Sequence, residues 1–439
     1  MAFEPVDVLR VYAFDRLVGA VAPSGRRGLY AFEYDPAWRR TGIELSPTTM
    51  PVTDRRRVWV FPGLSQETFY GLPPLLADSL PDRFGNSLIN AALAREGVAP
   101  ERISPLDRLA YLGSRGMGAL TFVPAIGPRD EVPTSIVLSD LVSAARRAVH
   151  GDLSVDNRSE ALDELLSVGS SAGGARAKAV IAWNPATDEM RAGNLDVPAG
   201  FEQWLIKFDG VQNTDKGRTF GPGQEYGRVE YAYSLMARRA GIQMPETRLI
   251  EEHDRAHFMV KRFDRLDDGS RVHMQTLCAL DELDFNQEQT HDYASLLIRA
   301  EALTGRPADR QEIFRRIVFN VLASNNDDHT KNHSFLMDRD GAWSLSPAYD
   351  VTFAYDPNNR WLKQHLMSVD GKFVDVTRRD LMAVADRFAI EDAKGVIDAT
   401  LEAVGDWNSF AVEAQLSSER AGHVADRLHE VRSVFNGRR

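Results

Sequence analysis

Residues 324–335 read SNNDDHTKNHSF, and how this stretch is understood decides the fold. It follows the apolar run IFRRIVFNVLA (313–323) and precedes LMDRDGAWSLSPAYDV (336–351). A block of acceptors, donors and ionisable groups between two segments of buried character costs free energy unless those groups are paired or bind something. Three chemistries compete for it. His329 and His333 form an H-x-x-x-H pair, but Thr330 stands where a zinc protease needs a glutamate, and a third ligand is required. The calcium-loop spacing D-x-[DN]-x-[DN]-G is absent. Asp327 and Asn332 are five residues apart, the spacing of the Asp and Asn in a kinase catalytic loop, where the Asp accepts the substrate hydroxyl proton and the Asn holds Mg²⁺. Lys331 between them can neutralise charge on a transferring phosphoryl group.

Working outward, Asp350 in SPAYDV follows a strand-like WSLSP, where a kinase places its second Mg²⁺ ligand. The glycine of D-F-G is missing, so the glycine-hinged switch is not expected. Upstream, Lys207 closes the strand EQWLIKFD, and Glu230 on the following helix YGRVEYAYSLMARRAGI is the carboxylate available to hold it over ATP phosphates. Before that strand lies the Gly-rich turn GSSAGGARAK (169–178). It matches neither G-x-x-x-x-G-K-[ST] nor G-x-G-x-x-G, yet its small residues permit close backbone approach to phosphate. Two strands, TRLIEE and HFMVKRFDR, follow the helix, and the exit VKRFDR lies where a kinase hinge meets adenine. Each feature alone has a bland counterpart: a flexible loop, a snorkelling strand-edge lysine, a helix-capping aspartate. The order Gly turn, Lys strand, Glu helix, two strands, D-x-x-x-x-N, Asp is what discriminates.

The chain has 439 residues, 43% hydrophobic and 26% charged, the balance of a soluble globular protein of two or three units. No apolar run has the length of a membrane span, and the start MAFEPVDVLRVYAF lacks a basic signal-peptide region. Cys278 is the single cysteine, which excludes an internal disulfide or a Cys-rich zinc site. These features predict a cytoplasmic protein. A net charge of −11 disfavours direct nucleic-acid chemistry, and the basic clusters DRRRVWV (54–60) and RRGLY (26–30) read as solvated strand ends.

The first part reads as short strands, VDVLRVYAF, RLVGAVAP and GLYAFEYD, followed by the helical, Pro-interrupted PPLLADSLPDRFGNSLINAALAREG ending at Gly97. PAIGPRDEVPTS (124–135) reads as a linker. A helix, SEALDELLSVG, precedes the Gly turn, and the remainder is mostly helical, including DYASLLIRAEALTG, RQEIFRRIVFNVLASN and SSERAGHVADRLHEVRSVF.

The set SAGGARAKA, VKRFDR, NNDDHTKNHSFL and LSPAYDV, with DSLPDRFG in the first unit, resembles the HipA family, the kinase toxins of HipBA toxin–antitoxin modules, over nearly the whole chain. The resemblance implies an α+β, two-lobed protein-kinase-like fold: a β-rich N-terminal subdomain at 1–130, a kinase N-lobe-like subdomain with the Gly-rich loop at 131–265, and an all-α catalytic lobe at 266–439. It implies an ATP- and Mg²⁺-dependent Ser/Thr protein kinase whose substrate is a translation component such as an aminoacyl-tRNA synthetase. It also implies neutralisation by a HipB-like helix-turn-helix antitoxin that supplies the contacts to operator DNA. Carried onto this chain, Asp327 is the catalytic base and Asn332 and Asp350 are the Mg²⁺ ligands. Lys207 contacts the phosphates, Lys261, Arg262 and Phe263 form the adenine hinge, and Gly173, Gly174, Ala175, Arg176, Ala177 and Lys178 form the phosphate loop. His329, Lys331 and Tyr349 line the nucleotide site. Where the family often reads SVAGAQEKTA this chain reads SSAGGARAKA, so Ser170 and Ser171 are both candidate autophosphorylation sites. The alternative is a HipA-like protein acting mainly as a co-repressor with its antitoxin; a metal-dependent hydrolase stands third.

Overall fold

The computed structural model describes residues 3–127, 137–149, 176–193, 197–212, 225–253 and 255–437. The proposed helix over 159–169 and most of the Gly-rich turn, including Ser170, Ser171, Gly173, Gly174 and Ala175, lie outside them.

The chain opens with an antiparallel five-stranded sheet ordered β4-β3-β2-β1-β5, from β1 (Leu9–Ala13), β2 (Arg16–Pro23), β3 (Tyr30–Tyr34), β4 (Val58–Trp59) and β5 (Leu120–Val123). In β1 the alternation Leu9, Val11, Ala13 points one face inward, as a half-buried strand requires. The long segment predicted as one Pro-interrupted helix breaks at Pro81. Asp82 then caps α1 (Arg83–Ala94), its carboxylate accepting the Gly85 N–H at 2.7 Å. Helix α2 (Pro105–Leu112) begins with a Ser104/Asp107 capping box, and Asp107 also accepts the Val6 N–H at 2.8 Å.

The second sheet is ordered β7-β6-β8-β10-β9, from β6 (Arg176–Asn184), β7 (Glu189–Ala192), β8 (Glu202–Gln212), β9 (Thr247–Glu252) and β10 (Arg255–Lys261). The hairpin strand β7 is an addition to the order read from sequence. Strand β6 is buried at Ala177 through Trp183, because α1 and α3 (Leu138–Val149) cover one face of the sheet. Helix α4 (Tyr226–Arg239) packs on the other strand surface and enters the core of the C-terminal lobe through Val229, Tyr233 and Met236. Gly227 makes this approach feasible, since a Cβ there would lie 2.2 Å from the Ala256 carbonyl oxygen of β10.

The C-terminal lobe is mainly helical: α5 (Tyr293–Thr304), α6 (Pro307–Leu322), α7 (Arg378–Arg387), α8 (Ala393–Gly405), α9 (Trp407–Glu413) and α10 (Ser418–Phe435) share one core with α4. It also carries a small antiparallel sheet, β11 (His273–Thr276), β13 (Ser334–Met337) and β14 (Trp343–Leu345), and a two-residue parallel pairing of β12 (His291–Asp292) with β15 (Met367–Ser368). Strand β13 continues directly from the polar stretch 324–333, and the Leu277 N–H just after β11 donates to the His333 carbonyl at 2.8 Å, so this sheet fixes the C-terminal end of the stretch.

Candidate functional site

Strand β8 brings Lys207 to the cleft between the second sheet and the C-terminal lobe. Its ammonium lies 2.5 Å from the Glu230 carboxylate of α4 and also hydrogen-bonds the Asp350 carboxylate. Burial disfavours the lysine's charge, but Asp350 and Glu230 outweigh it and raise its pKa. Arg176 joins this cluster, 3.4 Å from Glu230 with its guanidinium over the Tyr226 ring. Lys178 lies directly across from Lys207 in the β6–β8 register and forms a buried ion pair with Asp82 at 3.0 Å. The side chain of Ala177 packs into the core instead, leaving only its backbone for the cleft.

Asp350 sits in the left-handed region at φ 52°, where aspartate is better tolerated than most residues, and such backbone clusters at functional sites. Burial opposes its ionisation, yet Lys207 and Lys178 bring its pKa down to about 2, so it is a fixed anion. Asn332 stands at the end of the 3₁₀ turn Thr330–Asn332 and donates through Nδ2 to the Asp327 carbonyl at 2.7 Å, while its Oδ1 has no donor among the described residues. Asn332 and Asp350 line one cavity of about 20 Å³ of mixed character, with Arg316, Asn320, Asn325, Asp328 and His333 on it as well as the apolar Ile242, Ala348 and Val351. An ionised carboxylate and an amide oxygen at one cavity suit Mg²⁺, which takes few protein oxygens and completes its octahedron with water and phosphate. No cluster of three or more His, Cys, Asp or Glu side chains is placed to hold a metal among the described residues. His333 is buried with a pKa lowered to about 4, and it faces the Tyr293 ring at 5.6 Å.

The side chain of Asp327 is 48% exposed at the cleft, 3.8 Å from His329 Nε2. His329 and Lys331 both pack on Phe285, the latter with its ammonium 4.5 Å from the ring centroid. The Tyr349 hydroxyl donates to the Lys331 carbonyl at 2.7 Å, and its ring lies 5.8 Å from that of Phe263. Phe263 is thus at the cleft. The side chains of its neighbours are engaged elsewhere. Lys261 pairs with Glu202 at 2.8 Å, while the buried Arg262 turns away to Asp264 and the Gly116 carbonyl. Asp264 receives Arg262, Arg265 and the Gly118 N–H, and although burial opposes ionisation, the two arginines hold it well below the usual carboxylate range.

Sequence reasoning left four carboxylates and imidazoles without a place. Asp78 and Asp82 belong to DSLPDRFG, a motif to which the sequence alone assigns no role. Asp82 reaches Lys178, whereas Asp78 accepts the N–H and hydroxyl of Thr276, both at 2.7 Å. Asp328 and His365 pair beneath the polar stretch at 2.9 Å. Adjacency to Asp327 was the available signal for Asp328; His365 had none.

The two lobes, a lysine–glutamate pair over a cleft and two carboxylates below it describe a kinase-like fold. The sequence matches the HipA-like C-terminal domain over residues 170–431 and the HipA N-terminal domain over residues 9–123, so the chain belongs to the HipA family. It is 26% identical over 265 residues to "Putative kinase Y4dM" of Sinorhizobium fredii, covering 55% of this chain and 60% of that protein. It is 27% identical over 134 residues to a "Putative kinase" of Haemophilus influenzae, covering 28% of this chain and 39% of that protein. The chain therefore spans less than two thirds of these relatives. Among solved structures, HipA in the Shewanella oneidensis complex of HipA, HipB and operator DNA superposes with a TM-score of 0.66 at 16% identity, covering 98% of this chain and 97% of that one.

Proposed function

We propose that the protein is an ATP- and Mg²⁺-dependent serine/threonine protein kinase of HipA type. The observation that carries this reading is Lys207 held between Glu230 and Asp350, with Asn332 lining one cavity with Asp350 and the half-exposed Asp327 hydrogen-bonded to Asn332 through its carbonyl. A scaffold has no need of this constellation, whereas phosphoryl transfer uses every member.

In this reading Lys207, with Arg176 and Lys178 beside it, orients the nucleotide phosphates, and Glu230 keeps the lysine extended across the cleft. Phe263 and Tyr349 form the wall for the base. Asn332 Oδ1 and the Asp350 carboxylate hold Mg²⁺, which neutralises charge on the phosphates when bound. Asp327 accepts the proton of the attacking Ser or Thr hydroxyl as its oxygen bonds to the γ-phosphorus and the bond to the ADP oxygen breaks. Lys331 stabilises the charge that develops.

The substrate is a protein, with an aminoacyl-tRNA synthetase as the family's precedent, and the loop carrying Ser170 and Ser171 is an intramolecular acceptor. The complex formed by the Shewanella relative supports a HipB-like partner that carries the DNA contacts, in keeping with the net charge of −11 here. No helix among the described residues is long and apolar enough to cross a membrane.

Intact-mass spectrometry after incubation with ATP and Mg²⁺ tests the reading, with Asp327→Ala as the control. The expected result is one added phosphate at Ser170 or Ser171 in the wild type and none in the variant. Nucleotide binding without transfer to itself or to any protein would favour the co-repressor alternative, and absence of nucleotide binding would overturn the kinase reading.

A further inference from the structure

The consecutive carboxylates of Asp327 and Asp328 face opposite ways. The first is half-exposed at the cleft; the second is fully buried beneath it. Asp328 accepts three hydrogen bonds: through Oδ2 from the Tyr293 hydroxyl at 2.6 Å and His365 Nδ1 at 2.9 Å, and through Oδ1 from the Leu366 N–H at 2.7 Å. The network continues inward, because Asn320 donates to the Tyr293 hydroxyl at 2.9 Å and Asn325 donates to Asn320 at 2.9 Å. Segment 362–366 is also stitched to the polar stretch by the Asn326 amide, which donates to the Leu362 carbonyl at 2.9 Å.

These contacts bear on one peptide plane. The carbonyl of the 327–328 peptide accepts the Asn332 amide at 2.7 Å, and the residue on its other side is Asp328 with its three donors. A planar peptide held from both sides cannot rotate, so Asp327 keeps only its own side-chain torsions. A buried carboxylate with this many donors is costly to build and resists displacement.

We infer that Asp328 and His365 are positioning residues for phosphoryl transfer. They act through Tyr293 and the backbone of 325–328 to hold the Asp327 carboxylate at the point where it meets the acceptor hydroxyl; Asp328 lines the cavity beside Asn332 and Asp350, but both its oxygens are taken up by Tyr293, His365 and the Leu366 N–H. His365 reaches Asp328 from 37 residues further along the chain, on the approach to β15. This inference rests on the kinase reading and adds to it the device that aims the base. Displacing a reacting group by about an ångström costs on the order of a hundredfold in rate while leaving binding intact.

The test measures turnover of Mg²⁺-ATP and nucleotide affinity in the wild type, Asp328→Asn and His365→Ala, with His365→Ala repeated in millimolar imidazole. The expected result is a kcat about a hundredfold lower in both variants, an ATP dissociation constant within about twofold of wild type, and recovery of kcat in His365→Ala on adding imidazole. In Asp328→Asn, amide exchange across residues 325–332 should accelerate while the folded fraction stays near unity. Wild-type kcat in both folded variants would overturn the inference. So would a loss of rate that merely tracks the loss of folded protein and that imidazole leaves unchanged. Absence of ATP binding and turnover in the wild type would be a different failure, that of the kinase reading itself.

Discussion

At the scale of single residues, the cleft is an alternation of charge. Asp82 pairs with Lys178, and Lys207 bridges Asp350 and Glu230, which also receives Arg176. No member would be tolerable alone, since a buried ion whose partner is removed is strongly destabilising. Lys207 is the keystone because two carboxylates depend on it. Lys207→Met is expected to lower unfolding free energy by about 3 kcal/mol in urea titrations, in addition to weakening nucleotide binding. Adding Glu230→Gln to that variant should cost much less than Glu230→Gln does in the wild type, because the carboxylate has by then lost its Lys207 partner and keeps only Arg176 at 3.4 Å. Strict additivity of the two changes would show that the pair does not interact.

At the scale of elements, register and close approach place these side chains. The β6–β8 pairing sets Lys178 opposite Lys207, so both ammonium groups emerge on one face; a slip of one residue would turn one of them into the core. The β-bulge between Arg176 and Lys178 lets Arg176 reach Glu230 as well. Helix α4 must lie close to β10 for Glu230 to meet Lys207, and Gly227 sets that distance. Gly227→Ala puts a methyl group 2.2 Å from a backbone oxygen, which cannot yield as a flexible side chain would. The helix is expected to move outward, at a cost of about 1–3 kcal/mol, read as a lower Tm. Nucleotide affinity should fall with it, because Glu230 retreats from Lys207.

At the scale of the whole molecule, the N-terminal unit is locked to both lobes. Its core takes in Cys278 and Met337 from the C-terminal lobe, Asp78 anchors Thr276, and the Asp264 hub ties the hinge to Gly116 and Gly118. His273 lies in this interface, with Nε2 on the Leu45 carbonyl at 3.1 Å and its ring edge-on to Trp343. Burial lowers its pKa to about 4, only partly opposed by that carbonyl. In the window between about 6.5 and about 4 the unfolded chain therefore binds a proton that the folded protein refuses. Stability from this group is intact above pH 6.5 and drains away on acidification, by at most about 1.4 kcal/mol per pH unit. Thermal melts between about pH 7 and pH 5 should show a steeper loss of Tm in the wild type than in His273→Gln. Parallel slopes would mean that His273 takes up its proton without unfolding.

The order of chemical groups along the chain is legible without coordinates, because strands, helices and their boundaries follow from local pattern and turn chemistry. Lys207 on an apolar strand, Glu230 on the next helix, the Asp327-to-Asn332 spacing and Asp350 beyond it are one-dimensional features, although β8 continues past Lys207 to Gln212 and does not close there; the two-lobed arrangement came from the family resemblance. Of the small strands only β14, within the strand-like WSLSP, is legible; β11, β12, β13 and β15 are not, since two- to four-residue strands carry too little periodicity to separate from loop. Nor is the fate of Arg262, whose place in a hinge motif suggests a nucleotide contact while its guanidinium is buried against Asp264. Asp82 beside Lys178 and His365 beside Asp328 are contacts across 96 and 37 residues of chain, joining elements that no local rule relates. The sequence by itself determined which chemistry the protein carries, because that resides in residue types and short spacings. Tertiary structure alone decided what aims it, because a buried charge finds its partner by three-dimensional proximity and not by position along the chain.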